Sequence, residues 1–429
     1  MHYTLTHPKE LLTLLMQRVY GYGMTTTSGG NLSIRDEKGD IWITPAGVDK
    51  GSLRWDDIVR VKADGTVKGL HKPSSELPFH QAIYEARPDL RGLVHAHPSA
   101  LVSFSIVRQV PPIRIIPQAS EICGRIGYAP YALPGSTKLG QHIAETFAQG
   151  FDAIIMENHG VVCGGTSVLD AFHRFETLDF CARLAIKAAT LGEIRELTDE
   201  QLQLFRHTRH HLPEFDPASH SNREKAYRRH IIEIVHRAYD RQLMTATEGV
   251  VSVRVRDNLF LITPTGMDRR LLEIQDIVLI DDARRERGKW PSRSVLLHDR
   301  IYRDHPDIQA IVSAQAPNAT AFSVSSGTFD TRSIPESYLL LRDIPKMPFG
   351  PQITDHSQLS AMVSNDTPVV LLENDAIFAV GDSLLQAFDR LEVAEFSAHS
   401  LIDATQLGGL IAIGDRELQE IKDHFLKTK

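Results

Sequence analysis

The sequence has little cysteine, no long apolar run and no excess of positive charge. Its three cysteines, Cys123, Cys163 and Cys181, form neither a disulfide framework nor a zinc-knuckle spacing, so we expect a reducing compartment. No stretch approaches the ~18 apolar residues of a membrane span. Residues 1–20 lack the basic region and the apolar run of a signal peptide. These absences predict a cytoplasmic protein with no membrane partner.

The charge balance argues against nucleic acid as a partner. The formal net charge is −7, and binding a phosphate backbone requires concentrated positive charge. The chain has 429 residues, of which 42% are hydrophobic and 24% charged. That composition is ordinary for a globular protein, and the length is natural for two domains of about 200 residues each.

An internal repeat divides the chain. Three ordered segments recur at offsets of 219, 218 and 216 residues: residues 43–49 (ITPAGVD) as 262–268 (ITPTGMD), residues 80–90 as 298–308, and residues 157–158 as 373–374. The offset drifts by only three residues, which small loop changes would produce. A stretch rich in Pro, Ser, Asp and His lies between the copies, as expected of a linker. We therefore predict one domain at 1–212 and a second at 220–429.

The pattern within each copy indicates mixed α/β structure. A helical spacing of apolar residues opens both copies, short strand candidates such as residues 41–43 and 93–97 follow, and a long helix is predicted from about 168 to 191. Helices at both ends of a run of strands favour a sheet packed between helices, an α/β/α sandwich.

Three histidines form a candidate metal site. His95 and His97 lie in an apolar strand, where residues i and i+2 face the same side. His159 follows the apolar run 153–156 and precedes a glycine, which predicts the end of a strand at the rim of a sheet. Three imidazoles and one oxygen ligand or water make a catalytic zinc sphere. The chain has 20 histidines, however, so the spacing of one pair alone is weak support.

Two other segments fit a site for an anion. Residues 72–76 (KPSSE) precede a predicted helix, with Ser74 or Ser75 as the expected N-cap, and a helix start binds anions. Residues 25–33 (TTTSGGNLS) form a glycine loop whose backbone N–H groups can surround an anion. Each composition is also common in ordinary turns.

The second copy serves as an internal control, because it keeps the turns and packing residues but loses the candidate site. The equivalents in the second copy are Ser313 for His95, Gln315 for His97, Asp375 for His159, Ser294 for Glu76, Arg293 for Ser75 and Val250 for Asn31. Joint loss of dispersed residues is expected of one spatial cluster that stopped working. His80 has an equivalent, His298, so it is assigned to structure.

In order along the chain, the segments TSGGNLSIR, ITPAGVD, KPSSELPFHQAIYEARPD, LVHAHPSA and ENHG resemble the class II aldolase/adducin family. The resemblance covers residues 1–210, with a weaker version over 220–429. It implies a tandem pair of α/β/α sandwich domains, each with a mainly antiparallel central sheet.

The resemblance also implies roles for individual residues. His95, His97 and His159 would be zinc ligands, although another divalent metal would fit, and Glu76 would be the catalytic acid/base. The phosphate of a small sugar phosphate would be held by a further set of residues: Ser28, Gly30, Asn31, Gly47, Ser74 and Ser75.

Three departures from the family pattern concern the substrate. Ala46 stands where sugar-phosphate members usually carry a hydroxyl, and the glycine loop has an extra glycine. The proton-donor tyrosine of the fuculose-phosphate enzyme has no match in residues 112–124, which leaves Tyr128, Tyr131 and Tyr338 as candidates.

The resemblance implies cleavage of a ketose phosphate (L-fuculose-1-phosphate-like) to dihydroxyacetone phosphate and an aldehyde, through a zinc-stabilised enediolate. The alternatives are an epimerase of the L-ribulose-5-phosphate 4-epimerase kind or another enediolate lyase, including one acting on an acid. Family epimerases tend to have Asp where this chain has Glu76, which favours the aldolase. A non-catalytic, adducin-like interaction module is the alternative of another class. Members of the family usually assemble as rings of four subunits. The resemblance therefore also implies a homo-oligomer, in which two chains form a pseudo-fourfold ring of working and degenerate domains.

Overall fold

The computed structural model describes residues 6–208 and 210–426. The opening residues 1–5, Arg209 and residues 427–429 of the two predicted domains lie outside this description. The described residues fold into two units, one of residues up to 113 with 118–183, the other of residues 114–117 with those from 184 onward. The predicted boundary between 212 and 220 follows the sequence repeat and stays a prediction.

The first copy begins with a helix and then alternates short strands with helices. In chain order, its elements are α1 (Pro8–Gly21), β1 (Asn31–Arg35), β2 (Ile41–Ile43), β3 (Val59–Val61), β4 (Val67–Lys68), α2 (Leu77–Ala86), β5 (Gly92–Ala96), α3 (Ser99–Ile106), α4 (Pro117–Ile122), β6 (Ile126–Ala129), α5 (Thr137–Ala148), β7 (Ala153–Met156), β8 (Gly160–Gly165) and α6 (Val168–Ala189).

The second copy repeats this series after a short connecting helix and strand. In chain order, these elements are α7 (Asp199–His207), β9 (Glu214–Phe215), α8 (Asn222–Asp240), β10 (Val250–Arg256), β11 (Leu259–Ile262), β12 (Val278–Asp281), β13 (Arg284–Glu286), α9 (Val295–Asp304), β14 (Ala310–Ala314), α10 (Pro317–Ser323), α11 (Pro335–Leu341), β15 (Lys346–Met347), α12 (Pro351–Thr354), α13 (His356–Met362), β16 (Val369–Leu372), β17 (Ile377–Gly381), α14 (Leu384–Gln406) and α15 (Asp415–Phe425).

Within the described residues, each unit contains one mainly antiparallel sheet, and the two sheets have the same strand order. The first runs β4-β3-β2-β1-β5-β8-β7-β6, and the second runs β13-β12-β11-β10-β14-β17-β16-β15 with β9 added beside β13. The parallel pairs are β6 with β7, β15 with β16, and β13 with β9. The mixed α/β fold class, the antiparallel sheets and the tandem repeat are confirmed.

Helices pack on the sheets through the apolar positions that the sequence pattern indicates. In the first unit, α2 and α5 contribute Phe79, Ile83 and Phe147 to a core that also contains strand residues such as Leu93 and Ile154. Helices α1 and α3 contact the same sheet. In the second unit, α9 and α13 share a core with the strands, and α14 contacts β14 and β17.

A polar cluster recurs within the core of both units. The Ser33 hydroxyl lies 2.7 Å from His80 Nδ1 and 2.9 Å from the Tyr84 hydroxyl, which joins β1 to α2. Ser252 contacts its equivalents His298 and Tyr302 in the same way, at 2.7 Å each. Buried polar groups cost stability unless they are hydrogen-bonded, so each member of the cluster depends on the others.

In the part of the chain that the structure describes, no helix combines the length and the apolar character needed to cross a membrane.

Burial of His298 makes the stability of the second unit depend on pH. Burial, with a smaller effect of His356, lowers the pKa of His298 to about 3. In the unfolded chain an imidazole titrates near ~6.5. Between these values the unfolded state binds one proton more, so the free energy of unfolding falls as the pH is lowered, by up to ~1.4 kcal/mol per pH unit.

The substitution His298→Gln should therefore make this pH dependence shallower by about one proton between pH 6 and pH 4. Urea unfolding of the metal-free protein over a series of pH values measures it. His80→Gln is the matched variant in the first copy, because burial, followed by His95, lowers the pKa of His80 to about 3 as well. An unchanged slope in both variants would contradict this account.

Candidate metal centre and active site

The candidate site lies where neighbouring strands of the first sheet end. Asn31, at the start of β1, is opposite His95 near the end of β5, and His97 follows β5 at the next position on the same side. The turn between β7 and β8 carries His159, and β8 pairs with β5. Glu76 is the N-cap residue of α2. Antiparallel pairing thus brings residues that are distant in sequence to one edge.

The three imidazoles converge. Their ring centroids lie 4.8 Å (His95 to His97), 5.1 Å (His95 to His159) and 5.0 Å (His97 to His159) apart. One ring nitrogen from each lies within 4.8 Å of the other two. His95 is fully buried, while His97 and His159 are partly buried, so the cluster opens to solvent on one side.

The backbone fixes the orientation of His95. Its Nδ1 lies 2.8 Å from the Val161 carbonyl oxygen, to which it can only donate. The other nitrogen, Nε2, then faces the cluster. This arrangement is the usual way in which a metal-binding histidine is oriented by a partner outside the coordination sphere.

Two glycines allow the glycine loop, residues 25–33, to approach these rings. A Cβ atom on Gly29 would lie 2.9 Å from His97 Nδ1, and one on Gly30 would lie 2.8 Å from the His95 carbonyl oxygen. Gly30 also has a φ of 72°, a conformation that favours glycine. Of the two adjacent glycines in this loop, Gly29 is therefore the one that lies against His97.

Glu76 completes the cluster from the helix side. Its carboxylate oxygens lie 3.2 Å from His95 Nε2 and 3.5 Å from His159 Nε2, and Asn31 Nδ2 donates to it at 2.6 Å. Burial acts to raise the pKa of the Glu76 carboxyl, but His95, Asn31 and His159 together hold that pKa well below its ordinary range. Glu76 is consequently an anion surrounded by imidazoles.

The imidazoles differ in their protonation. Burial, followed by the charge of His95, lowers the pKa of His97 to about 3 and that of His159 to about 4. Burial also acts to lower the pKa of His95, but Glu76 and the Val161 carbonyl raise it above the ordinary value. At neutral pH His97 and His159 are neutral, which is the state in which imidazole binds a metal.

The donor set fits a divalent metal ion. His95 Nε2 and His97 Nε2 are 3.1 Å apart, close to the ~3.3 Å that separates two nitrogens of a tetrahedral zinc site with ~2.0–2.1 Å bonds. Two nitrogen lone pairs at this separation repel each other unless a proton or a cation lies between them. In addition, His159 Nδ1 is buried without a hydrogen-bond partner among the described residues.

A chain of hydrogen bonds extends from Glu76 into the core. Asn31, which donates to Glu76, receives a hydrogen bond at Oδ1 from His80 Nε2, and His80 is in turn held by Ser33. Sequence comparison assigned His80 to structure alone. The structure gives it a second task, because His80 fixes the amide that holds Glu76. No local sequence signal marks this task, because Asn31 and His80 are 49 positions apart in the chain.

In the second copy, this series of hydrogen bonds is shorter. Ser252 and Tyr302 still hold His298, but Val250 stands at the position of Asn31, and His298 Nε2 is buried without a hydrogen-bond partner among the described residues. The second copy thus keeps the hydrogen bonds among serine, histidine and tyrosine, but it lacks those that lead to the candidate site.

The predicted phosphate residues lie on three loops that are tied together. The Ala46 amide donates to the Lys72 carbonyl at 3.0 Å, and Pro45 bridges to Pro73, which brings the loop of Gly47 beside Ser74. The Lys50 amide donates to the Thr27 carbonyl at 2.9 Å, which joins the glycine loop to the same group.

These residues differ in exposure. Ser28, Gly47 and Ser75 are exposed, whereas Gly30, Asn31 and Ser74 are buried. Asn31 and Gly30 lie directly against the cluster, and Ser74 contacts it through the Glu76 amide. Their role as phosphate ligands stays a prediction.

The predicted N-cap of α2 was wrong by one or two residues. The helix starts after Glu76 rather than after Ser74 or Ser75, and the Ser74 hydroxyl accepts a hydrogen bond from the Glu76 amide at 3.2 Å. The serine therefore stabilises the turn before the helix. This places the Glu76 side chain at the helix N-terminus, where the helix dipole favours a carboxylate.

The candidate tyrosines lie in different surroundings. Tyr128 on β6 has a buried hydroxyl without a hydrogen-bond partner among the described residues, and burial raises its pKa. Tyr131 is exposed, and its amide donates to Glu157, in the turn that precedes His159, at 3.0 Å. Tyr338 is buried in the second unit, where Lys422 lies over its ring.

The chain is similar to several known proteins. A relative from Haemophilus influenzae, a 3-oxo-tetronate 4-phosphate decarboxylase, is 32% identical over 199 residues, which are 46% of this chain and 94% of the relative. An L-fuculose phosphate aldolase from Methanocaldococcus jannaschii is 34% identical over 180 residues, 42% of this chain and 95% of the relative. A solved structure of an L-fuculose 1-phosphate aldolase is 30% identical, with a TM-score of 0.42, over 46% of this chain and 93% of that chain.

The family described as Class II Aldolase and Adducin N-terminal domain matches the chain twice, at residues 10–186 and 229–402. The two matches cover one copy of the repeat each and together span more than half of the 429 residues. The chain therefore belongs to the class II aldolase and adducin family, with two copies of the family domain in tandem.

Proposed function

We propose that this chain is a metal-dependent lyase that cleaves a ketose phosphate to dihydroxyacetone phosphate and an aldehyde at the site in its first copy. The observation that carries the proposal is the convergence of His95, His97 and His159 with Glu76 at one edge of the sheet. Relatives named as aldolases and as decarboxylases of phosphorylated compounds support the lyase class.

His95, His97 and His159 would hold the metal, and zinc is the ion that a set of imidazoles suits, although manganese, cobalt or iron also accept such ligands. When bound, the ion supplies a Lewis acid that withdraws electrons from a carbonyl oxygen. The proposal needs no other cofactor.

The chain's own residues would manage the proton. When the carbon–carbon bond of a ketose phosphate breaks, the hydroxyl that becomes the aldehyde loses its proton, and the electron pair of the bond is left on the carbon beside the carbonyl, as an enediolate. That carbon must then gain a proton, so on balance one proton passes from the hydroxyl to the carbon. Glu76 is the group that we assign to this transfer, as the general acid/base of the site. Asn31 and His80 would hold its carboxylate in one orientation during the transfer.

The three tied loops would bind the phosphate. Ser28, Ser74 and Ser75 offer hydroxyl groups, while Gly30 and Gly47 allow the backbone to approach an anion. Gly47 has a φ of 68°, as expected for a glycine in such a loop. Asn31 would serve both the phosphate region and Glu76.

Decarboxylation is a second candidate, and two observations favour it. A 3-oxo-tetronate 4-phosphate decarboxylase is among the similar proteins, and Ala46 leaves the loop without the hydroxyl usual in sugar-phosphate members. Loss of carbon dioxide from a 3-oxo acid phosphate also leaves an electron pair on the carbon beside a carbonyl. Both reactions therefore end in the same protonation, and the same residues would serve either.

The degenerate second copy would serve in assembly. We propose that two chains associate so that working and degenerate domains alternate in a ring of four. The predicted domains, 1–212 and 220–429, are the units of this arrangement.

The roles of Glu76 and the histidines can be separated by substitution. Glu76→Gln should keep the bound metal, because three imidazoles remain, but lower kcat by at least ~100-fold, since the general acid/base is lost. His95→Ala should lower both metal content and activity. Metal analysis by mass spectrometry and turnover of the ketose phosphate measure these effects.

The second copy offers the control for these variants. Ser313→Ala, at the position equivalent to His95, should leave metal content and turnover unchanged. Full activity of Glu76→Gln would eliminate the role assigned to this residue.

A substrate panel separates the two candidate reactions. Ketose 1-phosphates should yield dihydroxyacetone phosphate and an aldehyde, whereas 3-oxo acid phosphates should release carbon dioxide. Coupled detection of dihydroxyacetone phosphate, with carbon dioxide measured separately, shows which substrate gives the higher kcat/KM. Turnover confined to the acid would transfer the proposal to the decarboxylase, and turnover of neither class would refute both.

The positioning role of His80 has its own matched control in the second copy. His80→Leu and His298→Leu both remove an imidazole from a serine–tyrosine pair, so both should destabilise their units. Only His80→Leu releases Asn31, so only this variant should lower kcat, by roughly 10- to 100-fold, with metal content unchanged. Equal kcat values for the two folded variants would show that His80 is structural only.

A further inference from the structure

Lys50 places a buried cation between two of the three tied loops. It follows the loop of Gly47 and is 3% exposed. Its Nζ donates to the Pro45 carbonyl oxygen at 2.6 Å, and its amide donates to the Thr27 carbonyl oxygen at 2.9 Å. Lys50 therefore joins the glycine loop to the loop at residues 44–48 through both its backbone and its side chain.

Among the described residues, no carboxylate pairs with the Lys50 ammonium group. The neighbouring Asp49 is exposed, and its carboxylate accepts hydrogen bonds from the Gly51 amide at 2.9 Å and the Ser52 hydroxyl at 2.8 Å. An ammonium group carries three N–H donors, and within the described chain only the one directed at Pro45 has a partner. Burial lowers the pKa of Lys50, and no neighbouring charge opposes that effect.

A buried charge of this kind has to be explained. Removing an ammonium group from water is costly, and an opposite charge or a full set of hydrogen bonds is needed to offset that cost. Ionisable groups with perturbed pKa values are concentrated at functional sites. Lys50 lies on loops that already belong to the candidate site, so a role toward a ligand is the explanation to test.

The second copy places carboxylates beside its equivalent cation. Arg269, at the position of the lysine, is also 3% exposed. Its Nε donates to the Gly249 carbonyl and its Nη1 to the Met267 carbonyl, each at 2.7 Å. Burial lowers the pKa of Arg269, but the charges of Glu248 and Asp268 oppose that effect. The degenerate copy therefore balances its buried cation from within the protein.

The first copy lacks both of these carboxylates at the equivalent places. Glu248 corresponds to Gly29 at the offset of 219. A side chain has no room there, because a Cβ atom on Gly29 would lie 2.9 Å from His97 Nδ1. Asp268 is buried, whereas its equivalent Asp49 is exposed. The buried cation was thus kept in the copy that has the metal cluster, while its protein partners were not.

A second polar group of the glycine loop also lacks a partner. Thr25 is 7% exposed, and its hydroxyl oxygen has no hydrogen-bond partner among the described residues. A Cβ atom on Gly29 would lie 3.0 Å from this oxygen, so the hydroxyl lies inside the loop. Met244 stands at the equivalent position of the second copy, which therefore has no hydroxyl to satisfy there.

The residues proposed to bind the phosphate carry no positive charge of their own. They offer hydroxyl groups, one amide side chain and backbone N–H groups, whereas a phosphate monoester carries a charge of about −1.5 to −2 near pH 7. Residues 25–31, 44–50 and 72–76 contain two cations, Lys50 and Lys72. Lys72 is exposed, so salt and water screen its charge. Lys50 is the cation that these loops shield from water.

We propose that Lys50 supplies the positive charge of the phosphate site, so that the phosphate group of the substrate balances the charge that carboxylates balance in the second copy. Lys50 would bind the anion through its charge and hold two of the loops in place, and it would take no part in proton transfer. This assignment rests on the proposed function, to which it adds the cation that selects a phosphorylated substrate.

A phosphate group suits these loops better than a planar anion does. A phosphate monoester presents three strong acceptor oxygens, so it can accept hydrogen bonds from three loops at once, whereas a carboxylate presents two oxygens in one plane. Gly30 and Gly47 have φ values of 72° and 68°, a conformation that lets backbone N–H groups converge on an anion. The ligand class is therefore a phosphorylated small molecule.

Calorimetric titration of the full chain with inorganic phosphate, at equal metal content in parent and variants, measures this binding without turnover. Lys50→Met and Lys50→Gln should raise the dissociation constant at least ~10-fold, because a hydrogen bond or contact to a charged group is lost. Lys50→Arg should stay within ~3-fold of the parent, since it keeps the charge and arginine already occupies the equivalent position in the second copy.

The glutamine and arginine variants separate the charge from the hydrogen bond to Pro45. Glutamine can still donate to the Pro45 carbonyl, so a lysine that only holds the loop would be replaced by glutamine without loss. Parental phosphate affinity in Lys50→Gln therefore overturns the proposal, and so does a parent that binds no phosphate. This comparison also decides the matter if Lys50→Met does not fold.

Two further measurements serve as controls. Arg269→Met removes the buried cation of the second copy and should leave the dissociation constant of phosphate unchanged. Acetate is the comparison anion for the parent, and it should bind more weakly than phosphate. Equal loss of affinity in Arg269→Met and Lys50→Met, or equal binding of acetate and phosphate, would contradict a phosphate site at Lys50.

Steady-state kinetics gives a second readout. Lys50→Gln should raise KM for the phosphorylated substrate at least ~10-fold and leave kcat within ~3-fold, as expected when binding is weakened equally in the ground state and the transition state. An active lyase with an unchanged KM in Lys50→Gln would overturn the role of Lys50 alone. Calorimetry needs no turnover, so phosphate binding that depends on Lys50 would stand even if the lyase assignment failed.

Discussion

The antiparallel pairing of β1 with β5 is the constraint on which the candidate site depends. It sets Asn31 opposite His95, and the side-chain alternation of a strand then puts His97 on the same side as His95. Pairing of β5 with β8 adds the turn that carries His159. A slip of one residue in the first pairing would turn Asn31 to the face opposite His95 and His97.

The second copy keeps this strand pairing although it lacks the site residues. In the second copy, β10 pairs with β14 in the same register, with Val250 opposite Ser313, although neither residue can bind a metal. The serine–histidine–tyrosine cluster is also retained, because removing one member would leave the others buried and unsatisfied. Joint loss of the candidate catalytic groups does not leave buried polar partners unsatisfied in this way.

The same comparison gives the second copy a structural meaning. The chain that follows its α10 pairs with residues 191–197, whereas the first copy leaves the end of α3 exposed.

Much of the fold was predictable, because local periodicity decides it. The apolar run at residues 153–156 became β7, and the helical pattern from 168 became α6. The repeat itself separated scaffold from site, since packing residues such as Tyr84 persisted while His95 did not. Sequence also identified the residue types that a metal requires.

Other features could not be predicted, because they arise between distant residues. No local pattern shows that His80 fixes Asn31, or that Gly29 must lack a Cβ atom to lie against His97. The start of α2 was predicted correctly, since residues 72–76 precede it, but the N-cap was assigned to Ser74 or Ser75, whereas Glu76 occupies that position.

The sequence by itself determined that there are two copies, one with a full set of candidate ligands and one without, since composition and order are local properties. Only the tertiary structure decided how those ligands are oriented and held, because the hydrogen bonds of Glu76, Asn31 and His80 join a loop, a strand and a helix that meet only once the sheet has formed.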